Sequence, residues 1–284
     1  MIQAPLHISA MAAERISPVA MITRIVKFRY LLRQLVWKSI MGTYGGSMGG
    51  LLWIALKPLL MLTVYTFVFG VIFHARFFKN SGQADPIEFA LALFVGLSIF
   101  TIFSEMISKS PTLIQGNANF VKKVVFPLDM FVVAEFAATL FHYLISVAIL
   151  LVFMLIHYGS LDRTAIFLPI IVLPFMMLTL GLSWLLAALG VYLRDIAQVT
   201  GILISLLMFL SPIFFPVSSL PEVVRPYIWL NPVSYVVEAA RNALFTEAIP
   251  ELPPLLAQYL VGSLVMWLGF ACFQKIRKGF ADVL

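Results

Sequence analysis

The sequence predicts an all-α integral membrane protein with six transmembrane helices, an N-terminal amphipathic interface helix, and short re-entrant helices between spans five and six. Three observations predict it. Hydrophobic residues make up 62% of the 284-residue chain and charged residues 11%, where soluble domains carry about 25% charge. The mean hydropathy is +1.01. The apolar residues also fall in blocks, several of them about the 20 residues that cross a hydrocarbon core as helix.

Residues 1–50 read as a cytoplasmic tail and interface helix, and 51–284 as the six-span domain. Within 22–38, Ile25, Phe28, Leu32 and Leu35 cluster on one helical face while Lys27, Gln34 and Lys38 fall opposite, the pattern of a helix lying along a membrane surface. Gly42 to Gly50 packs five glycines into nine residues, which suits a corner where backbones approach closely as the chain enters span one. The spans are expected at about 51–73, 88–108, 128–157, 164–191, 198–216 and 253–274. Residues 109–127 are too polar to span and end at Pro127, which stops a helix. The proline-rich, apolar 217–250 region is expected to hold re-entrant helices, tolerated in a bilayer only where protein or water satisfies the backbone.

Six spans put both termini on one side. With the N-terminus in the cytoplasm, thirteen basic residues face the cytoplasm against five on the other side. The positive-inside rule therefore places both termini in the cytoplasm. Residues 1–50 lack the basic tip and short apolar core of a signal peptide, so the first span is expected to be retained.

Several chemistries are absent from the pattern. No G-x-x-x-x-G-K-[ST] or G-x-G-x-x-G occurs, so the glycines are not a phosphate loop. The four histidines form no H-E-x-x-H, Cys272 is the only cysteine, and no G-x-S-x-G occurs. No catalytic or metal site is expected, and no nucleic-acid partner. Ionisable residues within spans are functional candidates because burying them costs several kcal/mol. Glu105 falls toward the cytoplasmic end of span two, and Glu135 and His142 lie seven apart in span three. A proton relay and a polar contact holding helices together are both open for them. Met61, Tyr65, Phe69 and Phe73 recur every four residues in span one, and Phe209 and Phe214 occupy the outer half of span five. These aromatics suit either sugar stacking or helix packing.

The run RYLLRQLVWKSIMGTYGGSMGGLLWIALKPLLMLTVYTFVFGVIF, the segment GNANFVKKVVFPLD, LRDI at 193–196, and SPIFFP…LNPVSYVVEAARNALF at 211–245 occur in order. Together they resemble the ABC-2-type transporter permeases of the polysaccharide and O-antigen export family. The resemblance implies a homodimer of six-span permeases in the bacterial inner membrane, served by two copies of a separate ABC ATPase that holds the ATP and Mg. It implies ATPase coupling through Gln115, Gly116, Asn117, Asn119, Lys122 and Lys123, with Arg194 and Asp195 as a smaller contact. Spans one and five would line the glycan path, with Met61, Tyr65, Phe69, Phe73, Phe209 and Phe214 along it. The implied substrate is a polysaccharide on a polyprenyl diphosphate carrier. Arg29, Arg33 and Lys38 would attract that diphosphate, as they would membrane lipid headgroups. Capsule, teichoic acid, small lipid or drug export by the same architecture, and a proton-coupled secondary transporter, are the alternatives.

Overall fold

Nine helices of ten or more residues carry the fold in a computed structural model that describes residues 17–44, 49–50, 52–72, 86–121 and 126–284. Of the residues singled out above, Phe73, Lys122, Lys123 and the Gly45–Gly46 pair of the glycine corner lie outside those residues. Helix α1 is Pro18–Lys27 and α2 is Arg29–Tyr44. Span one is α3, Leu52–Tyr65, continued by a π-helical stretch Thr66–Ile72. Then come α4 (Pro86–Leu113), α5 (Asp129–Tyr158), α6 (Leu168–Tyr192), α7 (Ile196–Leu210), α8 (Pro232–Phe245) and α9 (Leu252–Ile276). Among the described residues there is no strand.

The amphipathic stretch forms, but as two helices broken at Phe28 rather than one. Pro18 occupies the first turn of α1, where its missing N–H costs nothing, and the Ser17 hydroxyl accepts from Ala20 N at 3.1 Å. Ile25, Phe28 and Leu32 pack on the protein and Leu35 is buried, whereas Lys27, Gln34 and Lys38 are exposed. At the glycine corner Gly50 has φ +47°, a left-handed turn that glycine adopts without strain, directly before α3.

Among the described residues, five helical segments are long and apolar enough to cross a membrane: Leu52–Phe69, Ile87–Leu113, Asp129–Tyr158, Arg163–Tyr192 and Leu252–Val283. The expected fifth span departs from this. At 15 residues α7 is shorter than the others and ends at Ser211 in a non-helical turn, because Pro212 cannot donate to the helical ladder. The polar segment expected from residue 109 also starts later, since α4 runs on through Pro111 to Leu113. Residues 217–250 hold two 3₁₀ turns, Val217–Ser219 and Tyr227–Leu230, and then α8. At about 1.5 Å per residue, α8 is too short to span.

Burial is uneven, and that orders the bundle. In α4, 67% of the apolar window is inside the protein, against 11% for α3. Helix α4 is thus the central post, and α3 is held at the periphery. The tightest seam joins α6 and α9. A Cβ on Gly269 would collide with the Gly181 carbonyl oxygen, and one on Gly262 with that of Pro174. Small residues let these backbones touch, which is how helices gain packing energy where lipid removes the hydrophobic drive. The two ends of the described chain also meet: Arg24 of α1 and Arg277, just beyond α9, both approach Asp129 at the start of α5.

Gly269→Leu should destabilise the protein by at least about 1–3 kcal/mol, since the added side chain meets backbone. Thermal unfolding in detergent should show the loss, whereas Gly201→Ala on α7, with open space around it, should unfold like the parent.

Candidate functional site

At the end of the bundle where α5 begins, a buried carboxylate organises the chain. Asp129 is fully buried and receives Arg24 in a two-pronged pair, Nε to Oδ2 at 2.9 Å and Nη2 to Oδ1 at 2.6 Å. Arg277 Nη1 stands 3.7 Å from Oδ1, and Trp184 Nε1 donates to the Asp129 carbonyl at 3.4 Å. The fork geometry of arginine suits this bidentate grip. Helix α1, α5, α6 and the end of α9 therefore share one joint.

The residues expected to couple to an ATPase lie beside it. Gln115 is in a 3₁₀ turn and donates from Nε2 to the Gly190 carbonyl at 2.5 Å. Asn117 Nδ2 donates to Leu113 O at 2.9 Å, while Gly116 and Asn119 are exposed. Arg194 and Asp195 are exposed in the turn between α6 and α7, four and five residues past Gly190. Phe120 packs its ring on Phe126 and Phe131 at centroid distances of 4.8 and 5.4 Å, and Lys38 Nζ lies 5.7 Å from the Phe120 ring. Of the six described coupling candidates, Gly116, Asn119, Arg194 and Asp195 are exposed, Asn117 is half-buried, and Gln115 turns inward onto Gly190.

Farther along the bundle, a hydroxyl from α2 and ionisable groups from α4 and α5 run in a row. Ser39 Oγ donates to Glu135 Oε2 at 2.5 Å and Lys109 Nζ to Glu135 Oε1 at 2.8 Å. Lys109 Nζ is 3.8 Å from Glu105 Oε2, which is 4.0 Å from His142 Nδ1. Glu135 and His142 do not pair with each other; Lys109 and Glu105 stand between them.

At the opposite end, Arg241 of α8 is 1% exposed. Its guanidinium donates to three carbonyls: Ala92 at 2.8 Å, Pro212 at 2.5 Å and Ile213 at 2.6 Å. Burial pushes its pKa down to about 9, opposed by Glu238 at 4.0 Å, so the group is charged at neutral pH. Burial raises the Glu238 carboxyl. Gly96 makes the space, since a Cβ there would sit 2.7 Å from Arg241 Nη2. Asn231 caps α8 by accepting from Val233 N at 3.0 Å and donates to Ser211 Oγ at 2.8 Å. The same end gathers the aromatics. Phe209 meets Phe214 at 6.1 Å, Phe214 meets Phe69 at 6.4 Å, and Phe69 meets Phe89 at 5.6 Å. Span one and the end of α7 are thus joined by rings.

A family model described as ABC-2 type transporter matches residues 30–245. The chain belongs to the ABC-2 type transporter family. It is 25% identical to the O-antigen export system permease protein RfbA of Myxococcus xanthus over 93% of this chain and 99% of that protein. Identity to the RfbA permease of Klebsiella pneumoniae is 24%, over 87% of this chain and 92% of the relative. The polysialic acid transport protein KpsM of Escherichia coli is 28% identical over 84% of this chain and 90% of its own length. In this ABC-2 type chain the family match contains Asp129 but neither Arg24 nor Arg277, so the joint reaches outside the matched region on both sides.

The remaining candidates divide. Tyr65 and Phe69 are half-buried against the core, Met61 is 50% exposed, and Phe209 is 68% exposed. Arg29, Arg33 and Lys38 are all exposed, with Arg29 stacked on the Tyr30 ring at 5.0 Å. Sequence reading passed over Arg24, Asp129 and the burial of Arg241. Charge within apolar sequence was the available signal for Arg241; for Arg24 and Asp129, 105 residues apart, none was.

Asp129→Asn keeps the shape but strands two arginines, and breaking such a buried pair costs about 3–5 kcal/mol. Purified variant protein should unfold at lower temperature, and trypsin should cut earlier after Arg24 and Lys27. In a double-mutant cycle, Arg24→Met should add little to Asp129→Asn.

Proposed function

We propose that the chain is the permease of an ATP-driven exporter that moves a polyprenyl-diphosphate-linked, O-antigen-like polysaccharide out of the cytoplasm across the inner membrane. It works as a homodimer with two copies of an ATPase subunit that binds ATP and Mg. The observation carrying this reading is the match, along nearly the whole chain, to proteins named as O-antigen export permeases. The similarity to a polysialic acid transport protein supports the wider class of polysaccharides. The meeting of α1 and the end of α9 at Asp129 supports an even number of crossings, with α7 supplying the sixth, and the positive-inside bias favours the cytoplasm for that meeting point.

The mechanism follows from the parts. The ATPase docks on Gly116, Asn119, Arg194 and Asp195; Lys122 and Lys123, outside the described residues, belong to the same expected coupling set. Its motion reaches α1 and α2 through the Lys38–Phe120 contact and the Arg24–Asp129 pair. The first span and α7 then shift against the central post, and sugar faces slide along Tyr65, Phe69, Phe214 and Phe209. Arg29, Arg33 and Lys38 hold the diphosphate at the surface by charge. A second reading, proton-coupled transport, draws on the row Glu135–Lys109–Glu105–His142.

Co-purification with the ATPase, followed by hydrolysis with and without a polyprenyl-linked glycan, tests the proposal. A stable complex whose hydrolysis responds to glycan supports it. Transport that needs no nucleotide, follows a proton gradient and is lost in Glu105→Gln would replace it with the second reading. Arg194→Glu should uncouple hydrolysis from glycan by about tenfold while the permease still folds. Phe69→Ala and Phe214→Ala should each slow glycan display several-fold; normal display from both would reduce those rings to packing.

A further inference from the structure

A cavity of about 260 Å³ lies between α3, α4 and α5. That is about nine waters' share of liquid volume. Lys57, Glu105 and His142 line it together with apolar Ile54, Met61 and Leu97. Its two formal charges are poorly served by the protein. Glu105 Oε2 is buried with no partner at hydrogen-bonding distance among the described residues; Lys109 Nζ stands 3.8 Å away and the His142 ring nitrogen Nδ1 4.0 Å away. Lys57 makes no hydrogen bond or ion pair within 4 Å among the described residues, yet it sits in a membrane span. Lys109 and Glu135 neutralise each other at 2.8 Å, so the cavity presents one ammonium and one carboxylate oxygen. Snorkelling would relieve Lys57. It would leave Glu105 Oε2 with no donor nearer than Lys109 at 3.8 Å and the His142 ring at 4.0 Å.

The chemistry that fits is a ligand with one anion and one N–H-bearing cation. A diphosphate would add uncompensated negative charge beside Glu105, and a simple cation would add positive charge beside Lys57. A zwitterion satisfies both, and each new bond joins charged partners, the stronger kind of hydrogen bond. A primary ammonium donates to Glu105, whereas a trimethylammonium has no N–H to give. The apolar residues on the other walls suit acyl or glycerol carbons. The location selects a lipid source, since α3 is only 11% buried and Leu52, Leu56, Leu60 and Val64 are exposed along it. Where the Leu52–Leu56–Leu60 side of α3 meets the bilayer rather than the glycan path along Tyr65 and Phe69, lipid reaches the gap beside α3. We propose that this cavity holds the headgroup of a phosphatidylethanolamine-type lipid, with its phosphate on Lys57 and its primary ammonium on Glu105. The bound headgroup braces the loosely packed first span against α4 and α5, whatever cargo the transporter carries.

The full chain, placed in nanodiscs of equal phosphatidylethanolamine, phosphatidylcholine and phosphatidylglycerol and released for native mass spectrometry, gives the direct test. One retained phosphatidylethanolamine per chain, enriched at least about tenfold over the other two lipids, is expected. Lys57→Met and Glu105→Gln should each remove the enrichment, and Lys275→Gln, on an exposed position, should preserve it. Equal retention of phosphatidylcholine would overturn ammonium recognition by Glu105, and preferential phosphatidylglycerol would reduce the site to an anion site. Should either variant fail to fold, the three-lipid comparison on the parent still decides. Soluble glycerophosphoethanolamine protecting the parent as well as the lipid would overturn the lipid assignment. None of these readouts uses ATPase or glycan, so failure here leaves the transport reading untouched.

Discussion

A membrane protein cannot leave backbone carbonyls unpaired where water is absent, and Arg241 is how this chain meets that constraint. The turn after α7 breaks the helical ladder at Ser211 and Pro212, which frees the Pro212 and Ile213 carbonyls in a buried position. One guanidinium from α8 serves both and also reaches Ala92 in the central post. Each unsatisfied carbonyl would otherwise cost about 1–3 kcal/mol. The break in α7, the position of α8 and the missing side chain at Gly96 are therefore a single solution. Asn231 closes it by capping α8 while bonding Ser211.

The other end of the bundle uses the opposite charge. There a fully buried Asp129 draws two arginines, one from each end of the described chain. Two cations on one carboxylate leave a net positive charge, which keeps the joint attractive to anionic headgroups. A buried ion pair is weak evidence for stability but strong evidence for geometry, because only one arrangement satisfies the fork. The pair thus fixes where α1 meets the bundle, a placement that α1's amphipathic face alone leaves free to slide.

The landmarks quoted from the sequence turn out to be the residues of these joints. SPIFFP, LNP and the arginine of EAARNALF were legible as a pattern, and their spacing gave no hint that Ser211, Asn231 and Arg241 touch. Long apolar blocks were legible because a period and a length suffice. The short α7 was not, since a proline break and an apolar run look alike in hydropathy. The break at Phe28 was likewise hidden, both halves having the same apolar face. The aromatics of span one were seen as a stripe, but their contact with Phe214 depends on how α3 and α7 pack, which no local pattern encodes.

Rigidity is distributed in a way that bears on transport. The α6–α9 seam has backbone against backbone at Gly181 and Gly269, and such a contact has no side chain to rearrange, so these helices move as one body. Around them α3 and α7 bury little of their own surface. Besides aliphatic packing at Ile54, Leu62 and Leu207, two ties link them to the rest: rings at Phe69 and Phe214, and the turn held by Arg241. Ring contacts slide at small cost, whereas the three-carbonyl grip does not. A push delivered beside Asp129 would therefore be expected to tilt α3 about its ring contacts while the turn after α7 stays fixed, opening space between the two without unmaking a buried hydrogen bond.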